Sequence, residues 1–168
     1  MRLLWILLAL GCTRPPPQEV ILVFAAASLT EVFTDLEAAF EARHPSLDVQ
    51  LAFGGSQSLR LQIEHGAPAS VFASADRAHA EALASKGLLE SPVAFAHNAL
   101  AVIVPKANPA GLRDAGDLAR ATRVVVGAPN VPVGRYAEAL FAALRIQPRI
   151  VSREANVRLV RAKVALGE

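Results

Sequence analysis

The sequence has almost no cysteine and few aromatic residues, and both shortages limit the kinds of protein to which it can belong. Cys12 is the only cysteine among 168 residues, so the chain has no internal disulfide to stabilise it. Aromatic residues make up 5% of the chain, whereas 53% of it is hydrophobic and its mean hydropathy is +0.36. This aliphatic composition excludes a disordered chain and supplies apolar material for a sizeable core.

The common motifs of enzymes and metal sites are also missing. No serine stands in a G-x-S-x-G elbow, and the chain has neither a Walker loop nor a dinucleotide fingerprint. Asp76, in SADRAHAE, is more typical of a helix cap than of an acid or base. The histidines show no metal-ligand spacing; they are His44, His65, His79 and His97. We therefore expect a protein that is not an enzyme and carries no cofactor.

Neither sign of charge is in large excess. Lys and Arg number 17 against 15 Asp and Glu, which gives a formal charge of +2. No run of basic residues with interleaved aromatics is present, so we expect no nucleic-acid partner. Nor does any apolar run reach the about 20 residues that span a bilayer.

The N-terminus carries a short apolar stretch, residues 3–10, between Arg2 and Cys12. This layout resembles a lipoprotein signal peptide over residues 1–12, in which Cys12 is lipidated and anchors the mature chain to a membrane. The usual leucine three residues before the cysteine is replaced by Ala9, with Leu8 beside it. A plain signal peptide with an incidental cysteine is the alternative. Either form predicts export to the periplasm or another extracytoplasmic space.

Beyond a Pro-rich tether at residues 13–19, strands and helices alternate. Residues 20–24 are a continuous apolar run, as in a parallel strand covered on both faces. Apolar residues then recur at helical spacing over residues 29–42. Further strands are predicted at 48–53 and 71–74, and further helices at 57–65 and 76–86, the last ended by Gly87. This alternation predicts a parallel α/β lobe over residues 20–96.

A second lobe is predicted over residues 97–168. Residues 94–104 form a long apolar segment, interpreted as a connection that leaves the first lobe and becomes a strand of the second. The remaining predicted elements are a helix at 112–118, strands at 124–127 and 149–151, and helices at 134–144 and 156–165. No terminal strand completes this sheet, so the second lobe is expected to be incomplete.

Two strand-to-helix junctions place a serine at a helix start. They are ILVFAAASLTEVF, with Ser28, and VQLAFGGSQSLRLQI, with Ser56. Small residues let a ligand approach the backbone, and a helix N-terminus attracts an anion. SLTE also fits a capping box, so Ser28 merely capping its helix is an alternative. The two roles are compatible, since a capping oxygen accepts while its O–H still donates. Ser56 is interpreted in the same way, unless Gly54 and Gly55 only form a tight turn.

Two further helix starts offer backbone donors. In VGAPNVPVGRYAEAL, Val133 has an N–H near the helix start, whereas Pro132 has none. Arg135 is interpreted as a solvated helix residue, with pairing to an anion as the alternative. In REANVRLV, Asn156 precedes or caps the last helix and Val157 lies in its first turn. Four helix N-termini that meet at one cleft would favour the binding of an oxyanion.

A family resemblance rests on three blocks in order: FAAASLTEVF, FGGSQSLRLQIEHGAPASVFASAD and VVVGAPNVPVGRYAEAL. Together they resemble the periplasmic molybdate-binding proteins of molybdate ABC transporters, which are bacterial extracellular solute-binding proteins. The similarity runs from about Val20 to the C-terminus. It implies a two-lobed periplasmic-binding-protein fold with mixed, mainly parallel sheets and an oxyanion clamped at the hinge.

The resemblance also implies a ligand set. Molybdate or tungstate would be held by the hydroxyls of Ser28 and Ser56 and by the backbone N–H groups of Val133 and Val157. The family commonly has alanine where Val133 stands, and aspartate where Ser70 stands. The implied partner is an ABC permease in the membrane, and the implied state is a monomer.

The length departs from the family pattern. A ligand tyrosine of the family lies beyond the point where this chain ends, and Tyr136 belongs to a different block. The chain is therefore expected to be a C-terminally truncated member. The alternative functions are a sulfate or other oxyanion carrier, a sensor module of the same fold, and a non-functional remnant.

Overall fold

The structure, a computed structural model, describes residues 18–167. The predicted signal peptide with Cys12, and residues 13–17 of the tether, lie outside the described residues. Across residues 18–167, none of the helices combines the length and the apolar character needed to cross a membrane.

Strands and helices alternate along the described chain as predicted. In order they are β1 (Glu19–Ala26), α1 (Thr30–Glu41), β2 (Leu47–Gly54), α2 (Ser56–Glu64), β3 (Val71–Ala73), α3 (Arg77–Ala84), β4 (Val124–Gly127), α4 (Pro132–Leu144), β5 (Ile150–Glu154) and α5 (Val157–Ala165). Short 3-10 helices occupy Ala27–Leu29 and Gly116–Arg120.

The first three strands form one parallel sheet in the order β2-β1-β3. Because successive side chains of a strand point to opposite faces, Val23 and Ala25 pack with Val49 on one face. Phe24 packs with Leu83 on the other. Helix α1 covers the first face, and α2 and α3 cover the second. We call residues 18–87 the three-stranded half.

The last two strands, β4 and β5, form a separate parallel sheet whose register is irregular between Val124 and Val125. One cluster fills its core: Leu118, Ala121, Val124, Val126, Ala137 and Phe141. We call residues 116–167 the two-stranded half. In residues 18–167 no strand pairs with the other edge of β4.

The predicted strand within residues 94–104 is wrong, because residues 90–105 have no regular secondary structure. Val93 is 84% exposed and Phe95 is 61% exposed, although the Phe95 ring meets Phe33 edge-on with centroids 6.1 Å apart. A strand needs a neighbour to satisfy its N–H and C=O groups, and no described strand is hydrogen-bonded to this segment. Apolar composition alone did not produce a strand here.

The predicted helix at 112–118 is displaced to the 3-10 helix Gly116–Arg120. The Asp117 N–H donates to Asp114 Oδ1 at 3.1 Å, and the Asn108 amide donates to the Leu112 carbonyl at 2.8 Å. These bonds hold the preceding residues in turns, so the helix starts later. The predicted lobe boundary between residues 96 and 97 falls within residues 90–105, which we call the irregular segment, and it stays a prediction.

Candidate anion-binding site

A cavity of about 300 Å³ lies where the two halves meet. It is bounded by the carboxyl ends of β1 and β2 and by the first turns of α2, α4 and α5. Carboxyl ends of parallel strands share one edge of a sheet, and the helices that follow them begin there. Four lining residues are the ones expected from the sequence: Ser28, Ser56, Val133 and Val157.

A second cavity, of about 230 Å³, lies against the open edge of β4. Its wall is largely aliphatic, with Val102 and Val104 from the irregular segment opposite Val124 and Phe141. Ser28 and Ser56 do not line it. The first cavity is therefore the better candidate for a polar ligand.

Ser56 is the most buried of the four residues, at 1% exposure. The predicted capping role is wrong: Gly55 is the N-cap of α2, and the Ser56 side chain does not cap the helix. Its Oγ instead accepts a hydrogen bond of 3.0 Å from the N–H of Ala75, the residue that follows the end of β3 by two. The hydroxyl position is thus fixed by a donor from another element, and its own O–H can still donate.

Ser28 lies in the 3-10 helix before α1 and is exposed at the cavity. The capping box predicted from SLTE is not formed, because Leu29 is the N-cap of α1 and no side chain caps that helix. Thr30 Oγ1 closes the turn instead by donating to the Ala27 carbonyl at 2.9 Å. The Ser28 hydroxyl is therefore not used in holding the turn.

Val133 and Val157 contribute first-turn backbone groups. Val133 follows Pro132 at the start of α4, and Val157 is the first residue of α5. N–H groups in the first turn have no intrahelical acceptor, so both can serve a ligand in the cavity. The predicted cap Asn156 is confirmed, since its Oδ1 accepts from the Leu159 N–H at 3.1 Å.

Glycine allows the end of β4 to approach the start of α4. A Cβ on Gly127 would lie 2.7 Å from the Gly134 nitrogen, and a Cβ on Gly134 would overlap the Ala128 carbonyl. The same holds at the junction between the halves, where a Cβ on Gly55 would lie 2.5 Å from the Ala155 carbonyl oxygen. Side chains at these places would push the walls of the cavity apart.

Polar contacts join the two halves on both sides of the cavity. Gln57 Nε2 donates to the Ala155 carbonyl at 2.8 Å, and Gln57 is 6% exposed. Arg158 donates to Glu31 at 2.6 Å, and this hydrogen bond holds the pKa of Glu31 below its ordinary value. These two contacts hold the halves together beside the cavity.

The interpretation of Arg135 is also corrected, because its guanidinium is neither solvated alone nor aimed at a ligand. It pairs with Asp76, whose side chain is 5% exposed. Asp76 is, as predicted, the cap of α3, and its Oδ1 accepts from the His79 N–H at 3.2 Å. Burial lowers the pKa of the His79 ring, which favours its neutral form.

Three polar lining residues were not among the site residues expected from the sequence: Asn98, Tyr136 and Arg161. Residues four apart share a helix face, so Tyr136 follows from Pro132 and Arg161 follows from Val157. Asn98 lies in the irregular segment and gave no such signal. Arg161 is the one charged residue lining the cavity in the described part of the chain. Over residues 18–167 no cluster of three or more His, Cys, Asp or Glu could hold a metal ion.

Comparison with known proteins matches residues 21–168 to a family described as bacterial extracellular solute-binding protein. The molybdate-binding protein ModA of Mycobacterium tuberculosis is 41% identical over 150 residues, which cover 88% of this chain and 58% of that protein. ModA of Escherichia coli is 32% identical over 157 residues, covering 88% and 61%. The chain therefore spans about three fifths of the length of these curated relatives.

The solved structure of the periplasmic molybdate-binding protein of Azotobacter vinelandii has a TM-score of 0.59 to this chain at 22% identity. The match covers 88% of this chain and 67% of that one. At this identity the likeness concerns the fold. It confirms the predicted α/β architecture with parallel sheets.

Proposed function

The chain belongs to the bacterial extracellular solute-binding proteins, and on that premise we propose that it captures molybdate or tungstate outside the cytoplasmic membrane for an ABC importer. Two relatives, 41% and 32% identical, carry the name molybdate-binding protein, which supports this choice of ligand. Substrate, partner and location of the whole protein are all part of this proposal.

One observation supports it above the others: the same cavity is lined by Ser28, Ser56, Val133 and Val157. In the proposed complex the two hydroxyls and the two backbone N–H groups donate to the oxygens of the anion. All four donors are neutral and come from four separate chain segments. Hydrogen bonds to a charged acceptor are stronger than neutral ones, so such a site holds an anion without a bound cation.

Donors alone favour an anion that carries no proton. Molybdate and tungstate are fully deprotonated near neutral pH, so every oxygen can accept. A protonated phosphate would instead place a donor against the donors of the site, which leaves hydrogen bonds unformed. Sulfate also lacks a proton, but its shorter bonds make it smaller, and cavity size would separate it from molybdate.

The cavity volume is compatible with this ligand. Water takes about 30 Å³ per molecule in the liquid, and a four-oxygen anion needs a few times that. The cavity of about 300 Å³ would therefore hold the anion together with water. Bridging waters are nearly as favourable as direct hydrogen bonds, so a partly wet site does not argue against binding.

The partner and anchoring follow from the proposed class. We propose that the anion-bound form is recognised by the membrane permease of an ABC importer. We also propose that lipidation of Cys12 keeps the monomeric protein at the membrane surface. Relatives of this family are solute-binding proteins, and we propose binding and release without any chemical step. A distinct cofactor is not part of this function.

The proposal is tested by thermal unfolding of the full chain with molybdate, tungstate, sulfate or phosphate. A ligand that binds the folded state at a hundredfold excess over its Kd raises the stability by about 2.7 kcal/mol. We expect molybdate and tungstate to raise Tm and phosphate to leave it unchanged. A cooperative transition that none of the four anions moves would contradict the proposal.

The double variant Ser28→Ala/Ser56→Ala tests whether a rise in Tm with molybdate comes from binding in this cavity. It should still unfold cooperatively but no longer respond to molybdate. Ser85→Ala is the matched control, since Ser85 lies at the end of α3, outside the cavity, and its hydroxyl donates to the Ala82 carbonyl at 3.0 Å. An unchanged response of the double variant would show that molybdate binds elsewhere.

A further inference from the structure

Among the described residues 18–167, Arg161 is the single charged residue in the wall of the cavity. It lies on α5 four residues after Val157, so the two share the helix face that borders the cavity. The other polar lining residues are neutral: Ser28, Ser56, Asn98, Tyr136 and Asn156. A positive charge therefore sits beside donors that carry none.

The charge of Arg161 is not neutralised by a close ion pair. Glu31 of α1 accepts its hydrogen bond from Arg158 at 2.6 Å, and the charge of Arg161 adds to the lowering of the Glu31 pKa without forming an ion pair. Over the described residues no carboxylate oxygen lies within 4.0 Å of an Arg161 nitrogen. The first-turn N–H groups of α5 add positive potential at the same end of the cavity.

We propose that Arg161 makes the cavity select the charge of its ligand, favouring a dianion over a monoanion of the same shape. This selection rests on the proposed function. The neutral donors meet four acceptor oxygens on either ion, and they already favour the ion with more charge on those oxygens. The fixed charge of Arg161 adds to that preference, because its attraction to the ligand doubles when the ligand's charge doubles.

Coulomb's law fixes the form of the effect. The energy between Arg161 and the ligand is proportional to the ligand's charge. If removing the arginine weakens a monoanion by a factor f, it weakens the matching dianion by f squared. For a rim charge in about 0.1 M salt we expect f of about 3, which gives about 9 for the dianion.

Molybdate and perrhenate provide the pair of probes, because both are tetrahedral four-oxygen metal anions with charges of −2 and −1. Their affinities are measured by calorimetric titration of the full chain and of Arg161→Gln. We expect the variant to lose about ninefold for molybdate and about threefold for perrhenate. The preference for molybdate over perrhenate then falls about threefold.

Two variants separate charge from structure. Arg161→Lys keeps the charge and should keep the preference, although its donor geometry differs. Arg153→Gln makes the same change in net charge on β5, where Arg153 pairs with Glu138 at 2.9 Å outside the cavity. It should leave both affinities unchanged, and all variants should melt at similar temperatures.

The salt dependence of molybdate affinity is a second readout, and it suffices where perrhenate binds too weakly to titrate. Raising salt screens Arg161, so the affinity of the unaltered chain should fall more steeply than that of Arg161→Gln. Equal losses for both anions, or parallel salt curves, overturn charge selection. If the unaltered chain binds neither anion, the proposed function itself fails, and that outcome is seen before any variant is made.

Discussion

The two halves of the molecule contribute to the cavity by different chemical means. The three-stranded half contributes side-chain hydroxyls, at Ser28 and Ser56, whereas the two-stranded half contributes first-turn backbone groups, at Val133 and Val157. A side-chain donor depends on one residue type at one position. A backbone donor depends only on where the helix begins, so its residue can vary as long as the helix start does not move.

The halves also differ in how completely they are packed. Strand β1 has a partner on each side and core clusters on both faces. Within residues 18–167, strand β4 has one partner and one main cluster, and its other edge borders an aliphatic cavity. The contacts from Gln57 to Ala155 and from Glu31 to Arg158 join the two halves. The shape of the candidate site therefore depends on the less packed half being held by the better packed one.

The largest expected effect tests whether the hydrophobic cores of the two halves unfold as one cooperative unit. Leu83→Ala empties a fully buried position in the three-stranded half, and Phe141→Ala does so in the two-stranded half, where Phe141 is 6% exposed. We expect losses of about 2–5 and about 3–5 kcal/mol in the free energy of unfolding. Urea unfolding followed by far-UV circular dichroism measures both.

If the contacts between the two halves couple their unfolding, each core variant shifts the whole urea transition. If they do not, each variant shifts only the part of the transition that belongs to its own half. Leu88→Ala is the control, because Leu88 is 45% exposed and should cost less than about 0.5 kcal/mol. A loss below about 1 kcal/mol for Phe141→Ala would mean that the two-stranded half lacks a packed core.

The next effect tests the contrast between side-chain and backbone donors. Ser28→Ala should weaken molybdate binding by about 1.5–3 kcal/mol, or roughly ten- to hundredfold, because a hydrogen bond to a charged group is lost. Val133→Ala keeps the N–H and should change the affinity less than about threefold. Calorimetric titration measures both, and equal losses would remove the distinction between the halves.

A glycine substitution tests how tightly the backbone donors are positioned. Gly134→Ala places a Cβ against the carbonyls of Ala128 and Gly127, so we expect it to cost about 1–3 kcal/mol and to displace the start of α4. Gly116→Ala is the control, since its Cβ would meet only the Asp114 carboxylate, at 3.1 Å. Thermal unfolding and molybdate titration follow the two consequences, and full retention of affinity in Gly134→Ala would show that this helix start is not needed.

The smallest effect concerns Arg120, which joins the 3-10 helix Gly116–Arg120 to the turn that precedes it. Arg120 donates to the carbonyls of Ala110 and Gly111, at 3.0 and 2.8 Å, and to Asp117. Its hydrogen bond lowers the pKa of Asp117 from 3.8 to about 2. Because the folded-state pKa is the lower one, this stabilisation is present above about pH 4 and is lost as the pH falls toward 2.

In Asp117→Asn the decrease of Tm between pH 4 and pH 2 should therefore become shallower. Asp35→Asn, at an exposed position of α1, makes the same change in net charge and is the control for it. Identical curves for Asp117→Asn and the unaltered chain would show that this anchor does not contribute to stability.

Much of the fold could be predicted because its signals are local. The apolar run before Ser28 and the helical spacing after it correspond to β1 and α1, and the cap Asn156 marks the start of α5. Hydrophobic periodicity and capping act over a few residues, so a single sequence carries them. The strand expected within residues 94–104 failed because a strand depends on a distant partner.

The site shows the same division. Ser28, Ser56, Val133 and Val157 could be expected in one site from their strand-to-helix junctions and from the family resemblance, and all four line the cavity. Their role in binding stays a prediction. The partner of the Ser56 hydroxyl, the N–H of Ala75, could not be predicted, because β3 reaches α2 only in the folded chain. Nor could the pairing of Arg135 with Asp76, since 59 residues of chain separate the two in sequence.

By itself the sequence determined the order of strands and helices outside residues 94–118 and the residue types at four helix starts, because short-range periodicity and small residues set both. Tertiary structure alone decided that these helix starts surround one cavity, that Ser56 is held from another element, and that Arg161 is the charge in the wall. Those features depend on contacts between segments far apart in the chain. Only packing of the two halves against each other creates them.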